Sequence, residues 1–163
     1  MDKKQLSMFE RVTRRAHLFS DEEVKLGPVD HPFDVRNIHS ALPVHVKELF
    51  DNGHYSQATF EAFKYLDKEV ARISKLSQTG YKLMMRAFQD QSPAIVLSDL
   101  STTSGKNEQK GYQYIFSGSV IGVRNPRGHE YKIRDSIDEC LDHLSLVSLL
   151  LRRIEKAGYS IVS

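Results

Sequence analysis

Tyr55, Ala58, Ala62, Phe63, Leu66, Val70 and Ile73 recur every three or four residues, with Lys64, Asp67, Lys68 and Arg72 mostly on the other faces. An apolar stripe that wide cannot stay in water, so this helix needs partner helices to cover it. The chain supplies them. Ile137, Leu141, Leu144, Val147, Leu150, Leu151 and Ile154 form a second long stripe after Arg134-Asp135-Ser136. Gly158 closes that helix, with Arg152, Arg153 and Lys156 at the end where the helix dipole favours cations. Shorter helical patterns run through Leu42, Val46, Leu49 and Phe50, through Leu83, Met84, Ala87 and Phe88 after Gly80, and through Tyr112, Ile115, Phe116, Ser119, Val120 and Val123. Gly53, after Asp51-Asn52, suits a left-handed position just past a helix end. The expected fold is therefore all-α, a helical bundle.

Two segments fall outside that pattern. Leu6, Phe9, Val12, Ala16 and Phe19 predict an additional N-terminal helix or arm over residues 1–36, connected through Gly27-Pro28 and His31-Pro32 to a helical domain over 37–163. Residues 89–110 read as a long loop. It contains Ser92-Pro93, an apolar run Ala94 to Leu97 that suits a short strand or a buried loop, and the polar stretch Ser101 to Asn107. Gly105-Lys106 lacks the rest of a phosphate-cradling loop.

Composition narrows the functional classes. The 163 residues suffice for one domain with a sizeable core, and 40% apolar with 27% charged residues is a globular balance. A net charge of +2 argues against a general polycation. The lone cysteine, Cys140, rules out an internal disulfide or a multi-cysteine zinc site, and its place in an apolar stripe makes it a core residue. The N-terminus is charged, without the apolar stretch of a signal peptide. Leu146 to Leu151 is too short to span a bilayer. The cytoplasm is the expected compartment, with no membrane partner.

The residues that suggest chemistry lie in Gly118-Ser119-Val120-Ile121-Gly122-Val123-Arg124-Asn125-Pro126-Arg127-Gly128-His129-Glu130-Tyr131. Asn125-Pro126 and then Arg127-Gly128 are expected to stop the helix and let Arg124 and His129 converge beside the break. In an unbroken helix they would point off a common face. Histidine moves protons near neutral pH, and arginine grips a phosphate through two parallel hydrogen bonds. Together they suffice for cleaving RNA without a metal: His129 relays a proton of the 2′-hydroxyl or the leaving oxygen, and Arg124 holds the phosphate as charge builds. One chain offers one histidine here, so two chains across a two-fold axis would supply both acid and base. The small residues Gly118, Ser119 and Gly122 leave room for a neighbouring backbone. A structural alternative remains: Arg124 bonds a carbonyl or pairs with Glu130, and His129 caps the next helix.

Other candidates are weaker. His39, His45 and His54 lack metal-ligand spacing beside an acid. Asp138, Glu139 and Asp142 read as a solvated face. Tyr112 suits packing and Tyr114 suits base stacking. No metal or other cofactor is expected.

Arg124-Asn125-Pro126-Arg127-Gly128-His129 resembles the Arg-Asn-x3-His form of the Arg-x4–6-His motif of the HEPN superfamily (higher eukaryote and prokaryote nucleotide-binding domains). More closely, the chain is similar to the Ymh-type branch of uncharacterised bacterial proteins over roughly residues 39–155. That likeness is carried by Leu49-Phe50, Gly53-His54-Tyr55 and Ala58, by Gly80, Leu83-Met84 and Ala87-Phe88, by Phe116-Ser117-Gly118, by Arg124 to Glu130, and by Leu144 with Ser148-Leu149-Leu150. Gly128 departs from the alanine common at that position. The resemblance implies a HEPN-like bundle that dimerises around the motif. For many members it also implies metal-independent endoribonuclease activity in phage defence or toxin–antitoxin-like systems. It implies catalytic roles for Arg124 and His129, and a supporting role for Asn125. Arg127, Glu130 and Tyr131 complete the candidate set. Tyr131 stands where toxins partnered by nucleotidyltransferases carry a modifiable tyrosine. The expected partners are RNA, a second copy of the chain, and an antitoxin or defence-system protein. The competing expectation is a non-catalytic HEPN-like module that binds RNA or protein.

Overall fold

The stripe from Tyr55 to Ile73 becomes the central helix of the bundle. The computed structural model describes residues 30–130 and 132–162. The predicted N-terminal helix and Tyr131 lie outside them. Pro32–Ser163 forms one compact unit, described here by itself. A single turn, α1 (Pro32–Val35), leads to α2 (Val44–Asp51), α3 (Tyr55–Ser74), α4 (Gly80–Ala87), α5 (Thr103–Ser119), a π-helical turn (Val120–Arg124), α6 (Asn125–His129) and α7 (Ile137–Lys156). No strand occurs among the described residues, and the fold is all-α. No helix among them is long and apolar enough to cross a membrane.

Helix α3 packs against α2, α4, α6, α7 and the π turn. Ala58, Ala62, Phe63, Leu66 and Val70 are completely buried against Cys140, Leu144, Val147, Leu150, Leu151 and Ile154 of α7 and their neighbours. Burial pushes the Cys140 thiol up to about 11, which keeps it a protonated, unreactive core group. Helix α7 starts on a reciprocal cap. The Glu139 N–H donates to Ser136 Oγ at 3.2 Å, and the Ser136 N–H donates to the Glu139 carboxylate at 2.7 Å. Gly53 (φ +78°) takes the left-handed position that the sequence assigns it, and Gly158 (φ +92°), expected to close α7, is left-handed too.

The predicted loop over 89–110 is shorter than expected. Helix α5 already starts at Thr103, with the Thr102 hydroxyl accepting from the Gly105 N–H at 3.0 Å. The inward face of its first turns is polar. Gln109 is fully buried, accepts from the Leu97 N–H at 2.8 Å, and donates to Phe88 O at 3.1 Å and Ile95 O at 2.9 Å. Gln113 donates to Met85 O at 2.7 Å. Glutamines thus satisfy the backbone of the incoming segment where an amphipathic pattern would show leucines. Ala94 to Leu97 is a loop, not a strand, with Ile95 and Leu97 buried and Ala94 and Val96 exposed. Gly105 is required by space, because a Cβ there would fall 1.8 Å from the Asp99 carbonyl oxygen.

Candidate functional site

The helix does not stop at Asn125-Pro126. It widens into the π turn, where the Asn125 N–H reaches back to Val120 O, and continues as α6 to His129. In a regular α-helix the Pro126 ring would collide with the carbonyl four residues earlier. The wider turn ahead of it moves that carbonyl aside, which is how helices commonly absorb such an insertion. The stop comes at Glu130, which turns extended while its N–H reaches Pro126 O at 2.8 Å. Arg124 and His129, five positions apart, therefore leave the helix about 140° apart by regular helical geometry, not side by side.

Arg124 is half-buried and points into the bundle. Its guanidinium lies over the Phe60 ring, 5.7 Å from the centroid. Nη1 is 3.5 Å from Asn125 Oδ1, at the outer limit of a hydrogen bond. Nε is buried without a partner among the described residues. Gly80 lies beside the group, and its φ of +62° is what favours glycine, since a Cβ there would stand in ordinary contact at 3.4 Å from Arg124 Nη1. Below lies buried Asp67, which accepts from the Gly80 N–H at 2.6 Å. Burial raises the Asp67 carboxyl above its ordinary value, although the Gly80 N–H and the charge of Arg124 both pull it down. Arg124 makes no ion pair among the described residues, with Glu130 or otherwise, so most of its donors stay open.

Arg127 has the opposite surroundings. Its side chain is 9% exposed and meets the Asp135 carboxylate through two parallel bonds, Nε to Oδ2 at 2.8 Å and Nη2 to Oδ1 at 2.5 Å. Nη1 donates to Val123 O at 2.8 Å, and Nη2 approaches His143 Nδ1 at 3.4 Å. Asp135 also accepts from the Thr59 hydroxyl at 2.9 Å, and its N–H donates to Ser56 Oγ at 2.7 Å. Burial raises the Asp135 carboxyl, but hydrogen bonds from Arg127 and Thr59 outweigh it and hold the group below its ordinary value. His143 is lowered, by burial first and then by the charge of Arg127, against the pull of Asp135. This network fastens the motif to α3 and α7.

His129 is the last residue of α6, exposed, and without a hydrogen bond or ion pair among the described residues. Glu130 follows, also exposed, at the rim of an open cavity of about 480 Å³ where Arg127 meets His54, Gln57 and Arg134. The helical path thus starts Arg124 and His129 from different faces, and the ion pair with Asp135 ties Arg127 to the scaffold. Gly118 and Gly122 face open space, whereas Ser119 turns inward and donates to Phe116 O at 2.8 Å. Tyr112 packs beneath the Arg153 guanidinium at 5.0 Å, and Tyr114 is exposed. Glu139 is spent on capping α7, and Asp142 pairs with Arg36 at 3.0 Å. Among the described residues no three His, Cys, Asp or Glu side chains converge as a metal site.

Phe60, Asp67 and Gly80 lie around Arg124, yet nothing in the sequence ties them to it. Phe60 lies just off the α3 stripe, and Asp67 reads as part of its charged face. Asp135, Thr59 and His143 are equally silent, because the network joins three segments distant in sequence.

The class that fold and site define is an all-helical domain with an arginine–histidine motif on a π-distorted helix end. The chain belongs to the Hypoth_Ymh family, described as a protein of unknown function, whose model matches residues 36–154. No curated protein and no solved structure matches it.

Proposed function

We propose that this chain is a metal-independent endoribonuclease of the HEPN type that works as a homodimer in a defence or toxin–antitoxin-like system. The carrying observation is Arg124: held in a cradle, with an unpartnered Nε and no ion pair, next to a helix end that presents an unengaged His129. Buried or half-buried arginines are usually well bonded, as Arg127 is here through all three of its nitrogens. One left open suits a charge that arrives from outside, such as a phosphate.

In the proposed reaction a ribose 2′-oxygen attacks phosphorus and the bond to the 5′-oxygen breaks. The products are a 2′,3′-cyclic phosphate and a 5′-hydroxyl. One His129 takes the 2′-hydroxyl proton, and a protonated His129 of a second copy delivers one to the leaving oxygen. Arg124 carries the negative charge that gathers on the phosphoryl oxygens. Asn125 steadies Arg124, Arg127 anchors the turn, and Glu130 edges the site. Leaving the helical path from different faces, Arg124 and His129 of one copy would each pair with a group of the other. The exposed stripe of Tyr114, Ile115, Gly118, Ile121 and Gly122, leading directly into the motif, offers a second copy a close-packing face.

The test is cleavage of labelled structured RNA in excess chelator by wild type, Arg124→Ala and His129→Ala. Cleavage by wild type alone, ending in a cyclic phosphate, is the expected result. Intact RNA across several substrates, or equal cutting by all three, defeats the reading, and RNA binding without cleavage would favour the non-catalytic module.

A further inference from the structure

Resting on that ribonuclease reading, we infer that Phe60 is a positioning residue for the site, a wedge that sets Arg124 relative to the turn bearing His129 and that needs Gly128 for its own room. Two parts of the motif meet at the ring. The Arg124 guanidinium lies over it at 5.7 Å. On the α6 side, a Cβ at residue 128 would lie 2.8 Å from Phe60 Cε2, inside van der Waals contact, and at ordinary contact distance, 3.6 Å, from Cδ2 and Cζ. Glycine weakens a helix relative to alanine, and Gly128 sits in helical backbone without a positive φ. Its value here is space, and Phe60 is what fills that space.

The consequence is a mechanical link. Arg124 has one long hydrogen bond, to its neighbour Asn125, and an unpartnered Nε, so hydrogen bonding fixes its guanidinium weakly. The Phe60 ring is what it rests against. A side chain at 128 displaces the ring, and the ring then no longer supports the arginine. Phe60 never touches the reacting atoms. It acts through Arg124, which a loss of transition-state placement without loss of RNA affinity would reveal.

Four variants test this: Phe60→Tyr, which keeps the ring, Phe60→Leu, which loses it, Gly128→Ala, and the double variant Phe60→Leu/Gly128→Ala, which relieves the crowding without restoring the ring. Two readouts are taken on the full chain. One is kcat and KM on labelled RNA. The other is the Arg124 Nε–H resonance, assigned by its loss in Arg124→Lys, whose position reports the ring current of Phe60. Phe60→Tyr is expected to keep both. The other three should shift the resonance and lower kcat about 10- to 100-fold with KM within about twofold, the double variant unfolding close to wild type. An unmoved resonance and wild-type kcat in Phe60→Leu overturn the wedge. If wild type cuts no RNA, yet the resonance moves in Phe60→Leu and Gly128→Ala and holds in Phe60→Tyr, the ribonuclease reading fails while the wedge stands.

Discussion

Arg124 and Arg127 lie three positions apart on one helical path, and the fold treats them in opposite ways. Arg127 spends its donors inside the protein, on both Asp135 oxygens and the Val123 carbonyl. Arg124 rests on Phe60 with a buried Nε that has no partner among the described residues. Removing two charges from water is tolerable when they are paired and fully bonded, and costly when one is left open. Arg127 therefore belongs to stability. Arg124 has an unmet need that an external anion can fill, and a residue so placed is where function is expected to reside.

The sharpest way to break this contrast is to exchange its terms. Arg124→Ala should lower RNA cleavage by at least about 100-fold, the scale for losing a group that stabilises transition-state charge. It should change unfolding free energy in urea by less than about 1 kcal/mol, since little bonding is lost. Arg127→Met should do the reverse. Its removal strands the Asp135 carboxylate, 2% exposed, and breaking such a buried pair costs about 3–5 kcal/mol. Greater destabilisation by Arg124→Ala than by Arg127→Met would invalidate the division of roles.

A smaller effect separates pairing from placement. In a double-mutant cycle, Arg127→Met with Asp135→Leu should show coupling of about 2 kcal/mol, because each partner compensates the loss of the other. The same cycle on Arg124 and Asn125, joined by one 3.5 Å contact, should give less than about 0.5 kcal/mol. Equal coupling in the two cycles would mean that Arg124 is as firmly bonded as Arg127.

Much of the bundle was legible because apolar periodicity reports burial directly. The stripes of α3 and α7 and the glycines at 53 and 158 lie where spacing predicts. What stayed hidden is polar burial. Gln109 and Gln113 occupy inward positions of α5, so its first turns read as loop. Pro126 reads as a helix stop because sequence rules assume α geometry, and a π turn avoids the collision that enforces the stop. Arg124 and His129 are visible as a motif, but their surroundings are not. Phe60 and Asp67 come from the middle of α3 and Gly80 from the start of α4, and only the packing of those helices brings them to the arginine.

The smallest expected effect is in pH, where the two regions should carry opposite signs. In the Arg127 network both titrating groups are lowered on folding. The folded state then binds fewer protons than the unfolded one, so this contribution to stability is present at neutral pH and lost on acidification. The loss starts as pH falls through the ordinary histidine value of 6.5, for His143, and resumes below the ordinary aspartate value of 3.8, for Asp135. Asp67 beneath Arg124 is raised, so its folded form favours the proton, and its contribution declines as pH climbs above 3.8 through its folded value. Thermal unfolding between pH 7.0 and about 5.5 should therefore show a falling Tm in wild type that His143→Gln flattens. Asp67→Asn should leave that slope unchanged and raise Tm at pH 7 relative to its effect near pH 3, because the amide carries no buried charge. A wild-type Tm that rises on acidification over the upper range would show that Asp135 holds a proton on His143 despite Arg127, and the network would then be a charged triad instead of an ion pair beside a neutral imidazole.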